Sequence, residues 1–279
     1  MSDLQNYIEQ QIDLPSAPTV VTQLTTLLNK ENVGSHELAT VAQTDQAFTA
    51  KILKLVNSPF YGFTRQVSSV EEAITMIGLE AVHHLLLTLS FLNIFKADKD
   101  VLDINQFWLH SLGVGIIAKE LLKNESKETK NAAYLAGILH DIGRLVFYQV
   151  DPKKYIAFYD KGTSVIDLEK ETKWFNHNHQ KIGAMLGKKW NFPNNIINAI
   201  ETHHEPDSEN ENESILVHAV HIADIICHGL NVGNSGITYV TLFSKSSWDK
   251  FNLTDEKIKS IVHNSLKEIQ HTKEIIFNY

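Results

Sequence analysis

The chain has 279 residues, 43% hydrophobic and 21% charged, the composition of an ordinary globular protein with enough length to bury a substantial core. Its formal net charge of −8 disfavours direct contact with nucleic acid or an anionic membrane surface. Cys227 is the one cysteine, which excludes an intrachain disulfide and makes a reducing compartment, the cytoplasm, the expected location.

From the N-terminus the pattern is helical. Residues 1–10 lack a basic stretch followed by an apolar core, so no signal peptide is expected, and residues 3–12 can form a short amphipathic helix that stops before Leu14-Pro15. Pro18 stands where a helix begins, and Val20, Val21, Leu24, Leu27 and Leu28 recur at helical spacing. Ser35 is placed to cap the next helix and Asp45 the one after, which ends at Asn57-Ser58-Pro59 because proline disfavours helix at the residue before it. The aromatic stretch from Phe60 to Phe63 reads as a loop that packs lobes together. Ser69 to Glu72 forms a capping box, Gly78 interrupts the pattern, and a long apolar helix runs to Phe95. Its apolar tract, Leu85 to Phe95, is shorter than the ~20 residues that a membrane span requires. Lys96 to Asp103 is charged and marks a boundary between an N-terminal lobe, 1–96, and a larger lobe, 97–279.

Phe107 to Leu122 reads as an amphipathic helix that contains His110. Helices are also expected over 153–159, 165–174 and 180–190, the first two split by Lys161-Gly162. Pro193 opens a helix that ends at His203-His204-Glu205-Pro206. The run from Ser208 to Ser214 is an acidic solvated loop, and Ile215 to Leu230 is an apolar helix carrying His218, His221, Asp224 and His228. Thr254 to Glu256 caps a last helix reaching about residue 270. No stretch alternates apolar and polar residues over a strand's length, so the fold class is all-α.

Fourteen histidines stand out, and the segment Leu135 to Phe147 sets His140-Asp141 inside a helix that is apolar on nearly every side. A charge buried there is costly unless it is paired or bound to a metal. Gly137 and Gly143 flank the pair at a cost of about 1 kcal/mol each relative to alanine, which implies close approach of another backbone or of a bound group. On its own, such a pair is most simply a buried hydrogen-bonded network. Other candidate ligands lie in apolar helices too: His110, His179, His203, His204 and Asp224. Imidazole suits Fe, Mn, Ni, Zn and Cu, and a carboxylate can bridge two ions. His36, His83, His84, His177, His218, His221, His228, His263 and His271 read as surface or satisfied core residues. Among these, His177 rivals His179, and His221 is a candidate to orient Asp224 from the same helix.

The order His…His-Asp…His…His-His…Asp resembles the HD superfamily of metal-dependent phosphohydrolases. Most of residues 14–230 is similar, more narrowly, to the HDOD (HD-related output domain) proteins of bacterial signalling. The likeness runs through Leu14-Pro15-Ser-Ala-Pro18, Thr44-Asp45-Gln-Ala47, Asn57-Ser-Pro59, Ile77-Gly78, the His-Asp segment, His179-Gln-Lys-Ile-Gly183, Trp190-Asn-Phe-Pro193, His203-His204-Glu205-Pro206 and Ala223-Asp224. It implies a single HDOD-type domain over 1–279, with an N-terminal helical lobe packed on a larger HD-like lobe.

The resemblance further implies one ion held by His110, His140, Asp141 and Asp224, and a second held by His179, His203 and His204 with Asp141 bridging. The ions would be one or two divalent metals, Fe or Mn favoured, with Ni, Zn or Mg as alternatives. Asp141 and Arg144 are the candidate catalytic residues, Arg144 as a phosphate clamp. HDOD proteins usually act in signalling and have lost part of this ligand set, which this chain keeps. It lacks the Gly-Tyr-Pro of the cyclic-dinucleotide phosphodiesterases after His203-His204-Glu205. Two functions are therefore carried forward. One is a signalling module that works through a protein partner in trans or a small phosphate-containing ligand, with homodimerisation left open. The other is a metal-dependent phosphohydrolase acting on a phosphodiester or nucleotide.

Overall fold

A computed structural model of the chain describes residues 15–28, 34–59, 61–92, 94–95, 102–159, 168–207, 214–236 and 244–277. The expected helix over 3–12, Phe60, most of the 96–103 boundary, Lys161-Gly162 and all of the acidic run but Ser214 lie outside the described residues. Among those described, all regular structure is helical: α1 Thr19–Leu28, α2 Ser35–Gln43, α3 Gln46–Val56, α4 Val70–Ile77, α5 Leu79–Leu92, α6 Ile104–Leu121, α7 Lys127–Leu139, α8 Ile142–Val150, α9 Pro152–Tyr159, α10 Leu168–Phe175, α11 His179–Lys189, α12 Asn194–Thr202, α13 Ile215–Gly229, α14 Lys245–Lys250 and α15 Asp255–Ile276. None of the described helices is long and apolar enough to cross a membrane.

The chain divides into two compact units, one of residues 95–265 with Pro15 and Ser16, the other of residues 17–94 with 266–277. The bounds differ from lobes at 1–96 and 97–279 chiefly in the last helix, whose C-terminal half groups with the smaller unit. In that smaller unit α1 to α5 pack on one another around Leu24, Leu38, Ile52, Val56, Leu86 and Phe91. Asn57 closes α3 and ties down the loop beyond it. Its amide donates to the carbonyls of Leu53 and Val67, each at 2.8 Å, and its oxygen accepts from Val67 N at 2.7 Å. Ser69 accepts from Glu72 N at 3.1 Å as a cap should. Ser35 does not cap α2. That position belongs to Gly34, whose N–H donates to the Glu37 carboxylate at 3.1 Å, so the acid does the capping alone.

The larger unit is centred on α6, which packs against α7 and α13, while α11 packs against α8 and α12. The amphipathic reading of α6 is corrected here: Phe107 to Ala118 are all buried, because an apolar surface on every side requires neighbours on every side. The continuous helix expected over 135–147 is also corrected. α7 ends at Leu139 and α8 starts at Ile142, with His140 and Asp141 as the joint between them. Asp141 sits at φ −100° and ψ 6°, outside helical values, so the two side chains leave the axis where the backbone turns.

The two flanking glycines are explained by backbone contact. A Cβ on Gly137 would stand 2.6 Å from the Cα of Gly115, so α6 and α7 cross with their backbones touching. A Cβ on Gly143 would overlap the carbonyl oxygen of His179, so α8 is pressed against the first residue of α11. Replacing Gly143 by alanine is expected to destabilise the protein by about 1–3 kcal/mol or more through overpacking, read as a lower denaturant midpoint at unchanged slope. An unchanged midpoint would contradict this packing.

Candidate metal centre

Five of the seven candidate ligands come from helix ends and breaks in the larger unit, and two from helix interiors. His110 projects from the middle of α6, His140 and Asp141 form the α7–α8 joint, and His179 opens α11. His203 and His204 follow α12, and Asp224 lies on α13. The structure brings all seven together. His110 Nε2 is 3.0 Å from Asp224 Oδ1, and His140 Nε2 is 3.6 Å from the same oxygen and 3.4 Å from Asp141 Oδ2. His179 Nε2 is 3.2 Å and His203 Nε2 3.9 Å from Asp141 Oδ1, and these two nitrogens are 3.4 Å apart. The rings of His203 and His204 are 4.0 Å apart. None of His110, His140, Asp141, His179, His203 and Asp224 is more than 2% exposed.

The outward ring nitrogens are anchored. His140 Nδ1 donates to Gly137 O at 2.8 Å and His203 Nδ1 to Ile200 O at 2.9 Å. Both carbonyls belong to the last turn of a helix, where four C=O groups lack a helical partner. His110 Nδ1 meets Val232 O at 3.2 Å, and His179 Nδ1 meets the Glu171 carboxylate at 2.6 Å. A carbonyl or a carboxylate can only accept, so these contacts put the ring proton on Nδ1 and leave Nε2 bare in a neutral imidazole. Yet each Nε2 faces further acceptors: carboxylate oxygens, or another bare nitrogen. Four buried rings thus have acceptors on both sides and, when neutral, only one proton each.

This arrangement fits a cation held by Nε2 and carboxylate oxygen. Metal–nitrogen bonds of about 2.0–2.1 Å in a tetrahedral site place neighbouring donors about 3.4 Å apart, and the separations above cluster around that value. Orientation of each imidazole by a carbonyl or carboxylate on its far nitrogen is the usual support for a metal ligand. His204 points the same way, because both of its ring nitrogens are buried and without a hydrogen-bond partner. Donor atoms of Asp141, His179, His203 and His204 all lie within 4.8 Å of one another, as do those of His110, His140 and Asp141.

The electrostatics agree. Burial opposes ionisation of Asp141, but the Arg144 guanidinium and His140 outweigh it and hold the carboxyl well below its usual range. Asp224 is held down likewise, against its burial, by the hydrogen bond from His110 and by the nearby imidazoles of His140 and His228. Burial opposes charge on His140 too, yet Asp141 and Asp224 raise it to about 10. Burial lowers His203 and His204, helped by their imidazole neighbours, and it lowers His110 against the pull of Asp224. With Glu171 also lowered, by His179 and Arg144 against its burial, three carboxylates face one guanidinium. With His140 also charged, one negative charge is left, and two once His140 gives up its proton to a metal.

Arg144 is buried, not displayed. Its Nε donates to Asp141 Oδ1 at 2.9 Å, its Nη1 to the Tyr159 hydroxyl at 3.1 Å, and Nη1 is 3.9 Å from Glu171 Oε1, while Nη2 has no hydrogen-bond partner. Of the rivals, His177 is half-buried and joins none of the ligand clusters among the described residues. The expected orientation of Asp224 by His221 is replaced by other bonds: His221 Nδ1 donates to His203 O at 2.8 Å, and its Nε2 accepts from Ser244 N at 3.0 Å.

Two residues at the site escaped sequence reasoning. Glu171, on the otherwise charged helix α10, also accepts from the backbone N–H of His179 at 2.8 Å, so it fixes both the ring and the start of α11. His228 Nε2 stands 3.2 Å from Asp224 Oδ1, and its ring is 4.5 Å from that of His110. The available signal was the i, i+4 spacing of Asp224 and His228, which puts both on one helix face.

Two outcomes follow from this geometry. Glu171→Gln should weaken metal binding about 10–100-fold in a competition titration with a chromophoric chelator, as loss of a carboxylate behind a ligating histidine does. Unchanged affinity would mean that His179 does not ligate. Because the raised His140 must give up its proton before its Nε2 can bind a metal, affinity should rise about tenfold per pH unit from 6 to 8. A pH-independent affinity would exclude His140 as a ligand.

Comparison with known proteins agrees with the fold. The model of the HDOD domain matches residues 14–206. An HDOD domain protein of unknown function from Geobacter sulfurreducens superposes with a TM-score of 0.80 at 25% identity, covering 99% of this chain and 97% of that one. A phosphohydrolase candidate from Shewanella amazonensis SB2B shares the fold, with a TM-score of 0.72 at 20% identity over 96% of each chain. An uncharacterized protein from Treponema pallidum (strain Nichols) is 25% identical over 216 residues, 76% of this chain and 42% of that protein. The chain thus spans about two fifths of the length of that curated relative. With the family model covering well over half of its length and the all-helical architecture in place, the chain belongs to the HDOD domain family.

Proposed function

We propose that this chain is a bacterial signalling module with a resident metal centre, acting through a partner bound in trans rather than through turnover. The observation that carries the metal is the shortage of protons among the buried rings. His110, His179 and His203 have acceptors on both nitrogens and, when neutral, one proton each, and divalent cations would supply the missing positive charge. His110, His140, Asp141 and Asp224 would hold one ion, and His179, His203 and His204 with Asp141 would hold another. A donor set this rich in imidazole suits iron, manganese, nickel or zinc better than magnesium. Burial argues for the signalling reading. Hydrolysis needs a ligand position open to water and substrate, whereas all of these side chains except the partly exposed His204 are enclosed and Asp141 Oδ1 is already engaged by Arg144.

A second reading, a metal-dependent phosphohydrolase, is favoured by one detail: Arg144 Nη2 is buried with no hydrogen-bond partner, a donor that a phosphate oxygen would satisfy. In that case a bound cation would act as Lewis acid and lower the pKa of a water molecule. Arg144 would orient the phosphate, and Asp141, which it pairs with, would stay ionised.

Metal analysis of the purified protein, followed by phosphodiester and nucleotide screens with Mn²⁺ or Fe²⁺, separates the readings. The signalling reading predicts bound transition metal and no turnover. It also predicts that chelation lowers Tm by about 5–10 °C, as a site saturated about a hundredfold above its Kd implies. Turnover lost in both His140→Ala and Arg144→Ala would replace it by the second reading.

A further inference from the structure

The ligand set implied by family resemblance does not include His228, yet the structure places it against that set. Asp224 Oδ1 is surrounded by three imidazole nitrogens: His110 Nε2 at 3.0 Å, His228 Nε2 at 3.2 Å and His140 Nε2 at 3.6 Å. The His228 side chain is 8% exposed, and its Nε2 is buried without a hydrogen bond, so the contact with Asp224 lacks the alignment of an ordinary ion pair. One carboxylate oxygen has two lone pairs and cannot accept in line from three donors. His110, Asp224 and His228 each present a donor atom within 4.8 Å of the others, a cluster separate from the one formed by Asp141, His179, His203 and His204.

We propose that His228 is a metal ligand, and that with His110 and Asp224 it forms a subsite for a first-row divalent transition cation. The inference rests on the reading that the cluster holds metal at all. Helix α13 supplies two of the three donors from one face, four residues apart, and α6 supplies the third. His140 lies close enough to Asp224 to serve as a fourth donor. Two imidazoles and a carboxylate select an ion that accepts nitrogen over Mg²⁺ or Ca²⁺. In this assignment His110 belongs with Asp224 and His228, and Asp141 belongs with His179, His203 and His204.

The test is a Co²⁺ titration of the full chain, followed by d–d absorption and by metal per chain after dialysis. Wild type should show two binding steps. His228→Gln should lose one step, or weaken it at least tenfold, and keep the other. His204→Ala should affect the other step instead. His228→Cys should recover the lost step with a new thiolate-to-cobalt charge-transfer band. That band also decides the matter should the glutamine variant fail to fold. A His228→Gln protein that titrates like wild type, or a His228→Cys protein that binds Co²⁺ without the band, overturns the assignment of His228 and leaves the metal reading standing. Wild type that takes up no Co²⁺ overturns both.

Discussion

Much of the larger unit depends on the demand for positive charge at one buried place. His110, His140, His179 and His203 present their Nε2 atoms toward Asp141, Asp224 and one another, while their Nδ1 atoms are committed to carbonyls or to Glu171. Each neutral ring has one proton and two contacts that need one. Protonating all four rings would gather four charges in a space with little water, which the low dielectric of an interior penalises heavily. A cation at the focus would meet the bare nitrogens and the carboxylates together. A wholly hydrogen-bonded polar network, the alternative for residues of this kind, would have shown every donor matched to an acceptor, whereas His140 Nε2, Arg144 Nη2 and both ring nitrogens of His204 have no hydrogen-bond partner.

The helices are cut to serve that focus. His140 and His203 each hydrogen-bond a carbonyl three residues earlier, in the final turn of the helix they terminate, so one bond satisfies an end-of-helix acceptor and fixes a ring. The joint at His140-Asp141 lets neighbouring residues point to the same place, which a continuous helix would separate by about 100°. Backbone contact of Gly143 with His179 and of Gly137 with Gly115 sets how near α8, α11, α6 and α7 come to one another. Arg144 then neutralises one carboxylate from the side, which makes Asp141 both a candidate ligand and a member of a permanent ion pair.

Much of this was legible in the sequence where local chemistry determines structure. Helix starts at Pro18, Ser69 and Pro193 follow from capping and proline geometry, and the all-helical class follows from apolar spacing. The seven candidate ligands came from their order along the chain and its resemblance to a family, not from spacing, because the long gaps between them carry no local pattern. What escaped notice depends on tertiary contact. The α7–α8 break has no proline or glycine at the joint itself. Glu171 sits among Glu169, Lys170 and Lys173 on a charged helix, and only packing distinguishes the one buried acid. Ser35 lost its capping role to Glu37, three residues on. His228 could have been suspected from its spacing to Asp224, but the same spacing fits a surface ion pair equally well.

The central claim is that the bare imidazole nitrogens converge on a cation. X-ray absorption at the metal edge of the protein as purified, with no metal added, tests it most directly. The account predicts a first-row transition metal with nitrogen and oxygen neighbours at about 2.0–2.2 Å, no sulfur, and the outer-shell scattering of several imidazole rings. Protein that carries no metal as purified, and binds none when offered Fe²⁺, Mn²⁺ or Zn²⁺ while remaining fully folded, would contradict it.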